Sequence, residues 1–177
     1  MDEIIIIEYT DEYAEHFRLL NLEWLEQYGL LESHDLMVIN DPRGTILDRG
    51  GYIFLAKVND TIAGSAALMN EGHGTYELAK MAVTSAFRGR GISKLLIESC
   101  IEKAKEAGAK KISLFSNHQL QTAIHLYEKY GFKHVEVKDS PFETADVKME
   151  LDLTPCPSSP KEPLWTKERG EKQVSEK

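Results

Sequence analysis

The chain has 177 residues, of which 42% are apolar and 28% charged, with a formal charge of −8. That length suits one domain with a full core, and the acidic balance excludes the basic face that a nucleic-acid partner requires while favouring a cationic or amine ligand. The two cysteines, Cys100 and Cys156, make no disulfide scaffold, and Cys100 reads as a small core residue. Met1 to Ile7 puts acids before four isoleucines, the reverse of a basic signal-peptide start. No apolar stretch approaches the roughly 18 residues of a membrane span. A cytoplasmic protein without membrane or nucleic-acid partners is expected.

In chain order, β-branched Ile4 to Tyr9 reads as a strand, and Thr10 can cap a helix opening on Asp11 and Glu12. Phe17, Leu20, Trp24 and Tyr28 form its apolar face, the last two as core or as a substrate wall, and Gly29 ends it. Ser33 caps a second short helix to Ile39, stopped before Pro42, and 41–51 is a loop rich in Gly and Arg. Tyr52 to Val58 and Thr61 to Leu68 are strands joined at Asn59-Asp60, a hairpin turn without the favoured Gly. The turn 70–74, holding His73 as a solvated residue, leads to another strand beginning near Glu77. A helix from Ile92 with Leu95, Leu96, Cys100 and Ala104 on one face closes at Gly108. Lys111 to Asn117 is a strand, Leu120 to Gly131 a helix, Phe132 to Val137 a strand, and 145–153 alternates apolar and charged residues as a half-buried strand. From Thr154 the composition turns to Pro and Ser and then to charges, five basic and four acidic, so the acidity belongs to a domain of residues 1–153. The tail 154–177 is expected to be disordered or loosely docked, with Leu164-Trp165 as its one apolar feature.

The most informative stretch is Arg88-Gly89-Arg90-Gly91-Ile92-Ser93, a turn between strand and helix. Glycines let the backbone take positive φ and approach a ligand, the new helix offers unpaired N–H groups and its positive end, and two arginines reinforce the anion site. A phosphorylated cofactor follows. The dinucleotide fingerprint needs a glycine where Lys94 stands, and a P-loop needs Lys-Ser/Thr where Ile92-Ser93 follows Gly91. Neither fits. The turn resembles motif A of the GNAT acetyltransferases, Gln/Arg-x-x-Gly-x-Gly/Ala, with Arg88, Gly91 and Ser93 at the defining places. Ser93 departs from the usual Gly or Ala, but it is small and its hydroxyl can reach a phosphate oxygen. Downstream, Asn117, Ala123 and Leu126-Tyr127 followed by Gly131-Phe132 resemble motif B of the same family. The likeness covers about 3–153.

This resemblance implies an α/β (α+β) fold with a central mixed, mostly antiparallel sheet of six to seven strands flanked by about four helices. It implies acetyl-CoA as co-substrate, no metal, and an N-acetyltransferase acting by direct attack of a primary amine in a ternary complex. Gly89, Arg90, Gly91, Ile92 and Ser93, with Arg88, are implied to cradle the pyrophosphate, and Met81, Ala82 and Val83 to hold the pantetheine arm through strand-like backbone contacts. A bulge in that strand is implied, freeing an amide near Ala82 or Val83 for the oxyanion. Asn117 would hold the pantetheine or orient a water, and Lys129 would approach the adenine-side phosphates. Keeping a lysine-like amine neutral at pH 7 costs roughly 4.6 kcal/mol, which a base lowers. Glu77 matches the place of a catalytic Glu in many members; its other reading is a solvated strand-end carboxylate, and Glu23 and Glu71 are rival bases. Tyr127, placed by motif B, is either the acid that protonates the CoA thiolate, itself a fair leaving group with a pKa near 8.5, or a core tyrosine.

A small amine is favoured over a protein acceptor on charge alone, and a homodimer through the last strands is compatible with the family. Two other readings stand beside the acetyltransferase: a CoA-binding sensor or regulator without efficient turnover, and a transferase using another acyl-CoA.

Overall fold

The computed structural model describes residues 2–155, so Cys156 and Trp165, and with them nearly all of the tail, lie outside the described residues. Seven strands form one mixed sheet in the order β1-β2-β3-β4-β5-β7-β6. They are β1 (Ile4–Glu8), β2 (Tyr52–Val58), β3 (Thr61–Gly72), β4 (Thr75–Val83), β5 (Lys111–Ser116), β6 (Lys133–Val135) and β7 (Val147–Asp152). Every neighbouring pair is antiparallel except β4 with β5. Five α-helices accompany it: α1 (Ala14–Gln27), α2 (Ser33–Asn40), α3 (Pro42–Thr45), α4 (Ile92–Glu106) and α5 (Gln121–Lys129). The expected architecture is met, with single-turn α3 as the extra helix.

The sheet separates two cores. Phe17, Leu20, Val38 and Ile39 of α1 and α2 pack with Leu55, Ile53 and Ala67 on one face. On the other, Ile92, Leu96, Ile97, Cys100, Ile101 and Ala104 of α4 meet Ala56, Ala66, Leu68, Ile112 and Leu114. Their spacing of three and four puts them on one stripe, and each fully buried Leu or Ile there contributes about 1.5–3 kcal/mol. Gly64 lets α4 lie close, because a Cβ at that position would meet Ile92 Cγ2 at 3.1 Å, Ala82 O at 3.2 Å and Leu96 Cδ1 at 3.2 Å. Cys100 is fully buried and its thiol is pushed up by burial, as a core residue.

Several local expectations are corrected. Thr10 does not cap α1; a 3-10 turn over Asp11–Tyr13 intervenes, and Thr10 Oγ1 donates to Glu12 at 3.0 Å. Glu32, not Ser33, is the N-cap of α2: its amide donates to Asp35 at 2.9 Å, because a carboxylate three residues into the helix reaches back as well as a serine would. The segment 41–51 is not all loop but holds α3, started by Pro42 and capped by Asp41 accepting from Gly44 N at 3.0 Å, and a 3-10 turn at Leu47–Arg49. Strand β3 runs on past Leu68 to Gly72 because β4 pairs with it down to Thr75. The Asn59-Asp60 turn closes without glycine because Asn59 itself takes φ +51°. The alternating strand β7 is hydrogen-bonded on both sides, which leaves β1 and three-residue β6 as the sheet edges.

Candidate active site

The site starts where the sheet comes apart. Parallel pairing of β4 with β5 covers only Thr75, Tyr76 and Glu77 against Lys111, Ile112 and Ser113. Beyond Glu77 the strands diverge, so β4 from Leu78 to Val83 has no β5 partner. The bulge is present on the opposite edge: Ser65 pairs with Ala82 and Ala67 with Ala79, so Lys80 and Met81 stand against Ala66 alone. Lys80 takes φ +52° there.

A cavity of about 610 Å³ fills the fork. Of the residues singled out by sequence, Glu77, Met81, Ala82, Val83, Arg88, Gly89, Gly91, Ile92, Ser93, Asn117, Tyr127 and Lys129 line it. Arg90 does not. It pairs with Asp2 and its guanidinium lies 4.9 Å over the Phe87 ring. Arg88 is also engaged, donating from Nε to Val83 O at 3.1 Å and from Nη2 to Gln27 at 2.8 Å, while covering Trp24 at 5.2 Å. Both arginines therefore have partners within the protein, Arg88 while lining the cavity and Arg90 beside it. Gly89 and Gly91 each hold φ +78°, and within 4 Å of where their Cβ atoms would stand there is nothing. Gly91 is the N-cap of α4, so the free amides of the first turn open onto that space. These features fit a pyrophosphate: backbone donors, a helix start and unobstructed approach.

Glu77 sits at the fork, 6% exposed, and is not a solvated strand end. Burial first, and then the neighbouring Glu71, push its carboxyl up to about 7, against the pull of Lys80 and Lys148. Glu23 does another job, accepting from Thr84 Oγ1 and Ser85 N, both at 3.1 Å, and so tying α1 to the turn before α4. Tyr127 is buried with its ring edge-on to Phe132 at 5.8 Å, and burial raises its phenol. Asn117 is locally bound at both ends, donating to Thr144 O at 2.7 Å and accepting from Gln119 N at 3.0 Å.

On the far side of the cavity the sequence left Trp24 and Tyr28 open between core and substrate wall. Trp24 and Tyr28, 4.8 Å apart between ring centroids, are half-buried on its wall rather than in the core. Asp35 and Lys80 form a buried ion pair beneath Phe142. Phe142 comes from the β6–β7 connection, which is strapped across by Glu32 accepting from Glu143 N at 2.8 Å and Thr144 N at 3.1 Å. The Glu32–Asp35 spacing of a reciprocal helix cap is a further signal in the sequence; nothing marked Lys80. Among the described residues no cluster of His, Cys, Asp or Glu is arranged to hold a metal.

Residues 9–132 match the model of the acetyltransferase (GNAT) family. An N-acetyltransferase of Bacillus subtilis, YvbK, itself uncharacterised, is 31% identical over 105 residues, which cover 58% of this chain and 68% of that one. A GNAT-family acetyltransferase from Staphylococcus aureus shares the fold at TM-score 0.79 and 24% identity, over 86% of this chain and 100% of that one. The PaiA N-acetyltransferase of Thermoplasma acidophilum, solved in complex with coenzyme A, superposes at TM-score 0.66 and 17% identity over 85% and 99%.

Proposed function

Since the chain belongs to the acetyltransferase (GNAT) family and is an acetyl-CoA-dependent N-acetyltransferase, we propose that it acetylates a small primary amine by direct attack in a ternary complex, with Glu77 as base and Tyr127 as acid. The observation that carries this reading is the fork: strand pairing stops at a buried carboxyl whose pKa lies at about 7. Amides of Gly89, Gly91, Ile92, Ser93 and Lys94 would hold the pyrophosphate, and the unpaired stretch through Met81, Ala82 and Val83 the pantetheine. Acetyl-CoA supplies the activated acyl group. Glu77, half ionised near neutral pH, takes a proton from the incoming ammonium or amine, directly or through a water. An amide of the bulged strand near Ala82 or Val83 meets the negative charge developing on the carbonyl oxygen. Tyr127, kept protonated by burial, gives its proton to the departing thiolate.

A small acceptor is supported by the enclosed far side of the cavity, roofed by Phe142 and strapped by Glu32, together with the acidic charge of the chain. The reading is of a cytoplasmic enzyme; no helix among the described residues is long and apolar enough to cross a membrane. The test is thiol release from acetyl-CoA across amino acids, polyamines, aralkylamines, aminoglycosides and peptides with free N-termini, compared with Tyr127→Phe. Turnover with one small-amine class, reduced about tenfold by Tyr127→Phe, supports the assignment; turnover with peptide N-termini alone, or an unaffected variant, overturns it.

A further inference from the structure

Lys80 is a lysine in the left-handed region at φ +52°, where glycine is the ordinary occupant, so its side chain must serve a purpose that offsets the strain. It is anchored at two places. Its carbonyl accepts from Ser65 Oγ at 2.8 Å, Ser65 Oγ accepts from Asn21 Nδ2 at 3.2 Å, and Asn21 also donates to Phe17 O at 2.9 Å, so α1 holds the backbone of the bulge. Its ammonium pairs with Asp35, so α2 holds the side chain. The two side chains are 5% and 3% exposed, and Phe142 covers the ammonium at 5.4 Å.

We propose that Lys80 is a positioning residue that clamps the forked strand to α1 and α2 and fixes the charge balance around Glu77. Glu77 and Lys80 line the same cavity, three residues apart on β4; the other charges acting on Glu77 are Glu71 on β3 and Lys148 on β7, and its β5 partner, Ser113, carries none. Lys80 is thus the cation that belongs to the same strand, and Asp35 tempers it. Removing the ammonium leaves Glu77 facing Glu71 with Lys148 alone, which favours the neutral carboxyl. The consequence for turnover rests on Glu77 acting as the base.

The test uses full-length protein labelled with ¹³C at the glutamate carboxyls, titrated by NMR, with Glu77→Gln assigning the resonance. Lys80→Met/Asp35→Asn removes both charges, so neither is buried alone, and Asn keeps the acceptor that caps α2. We expect the Glu77 midpoint to rise by at least about half a pH unit in the double variant. Acetyl-CoA affinity, measured by calorimetry, stays within about threefold, while kcat falls about tenfold or more. A midpoint that does not move, or that falls, overturns the clamp. Failure of acetyl-CoA to bind the wild-type protein would instead overturn the transferase reading, and the carboxyl titration decides the clamp in either case.

Discussion

The two ends of the cavity are made by different means. The end we propose for the donor is backbone: one contiguous stretch from Arg88 to Lys94, two glycines at positive φ and the first turn of α4. The end we propose for the acceptor is side chain: Trp24 of α1 and Tyr28 at its C-cap, Asp35 from α2, Lys80 from the bulge and Phe142 from the β6–β7 connection, distant in sequence. A backbone site depends on conformation and tolerates little change at its glycines, while almost any side chain can decorate it. A side-chain site can be rebuilt one residue at a time without touching the donor end, which suits a fold that keeps one co-substrate and varies the other.

Glu77 lies between the two ends, and replacing it gives the largest effect. Glu77→Gln is expected to lower kcat by about 10²–10⁴-fold while the acetyl-CoA Kd holds steady. The wild-type rate should rise with pH through a midpoint near 7, where the carboxyl loses its proton, and the variant should lack that limb. A parallel loss of cofactor affinity would place Glu77 in the donor end and blur the comparison. Next, Gly91→Glu forces a side chain into φ +78° and sets a negative charge among the phosphate donors. Calorimetry should show acetyl-CoA binding weakened by about 100-fold or more, roughly 2.7 kcal/mol; retained binding would mean that the turn is only a connection.

A third effect is on stability. Glu77 titrates at about 7 in the folded chain against 4.5 as its ordinary value, so between those values the folded state keeps a proton that the unfolded state has lost. Stability on this account falls as pH rises across that window. Glu77→Gln removes the penalty, so its advantage over wild type in urea unfolding should grow from pH 4.5 and level off above 7, at up to roughly 3 kcal/mol. An advantage that shrinks with pH would contradict the burial argument. The smallest effect tests the acceptor end: Phe142→Ala should raise the KM of the amine by about tenfold, roughly 1.4 kcal/mol, and leave acetyl-CoA binding unchanged.

The same contrast explains what could be read in advance. Strand and helix periodicities located nearly every element, and the Gly89 and Gly91 turn was legible as a backbone turn of positive φ before a helix, because both signals are local. The thread from Asn21 through Ser65 to the Lys80 carbonyl joins residues 44 and 15 positions apart, and no local pattern encodes it. Arg88 and Arg90 were legible as cations near the turn but not as partnered ones, since their partners Gln27 and Asp2 lie 61 and 88 positions away. Glu77 was singled out by a resemblance, but its burial, which pushes its carboxyl up, depends on its place between Met69 of β3 and Ser113 of β5.

A sheet carries load along its ladders of hydrogen bonds, and between β4 and β5 the ladder has rungs only from Thr75 to Glu77. That line is a seam across which the β1–β4 half and the β5–β7 half are stitched at one end. Strand amides past the stitch that point into the seam lack a neighbouring strand to shield them, so they should trade hydrogen with solvent quickly in the empty enzyme. A pantetheine arm lying in the seam, as we propose, would take the position of the missing strand, so occupancy should slow that exchange and stiffen the sheet along with the pocket.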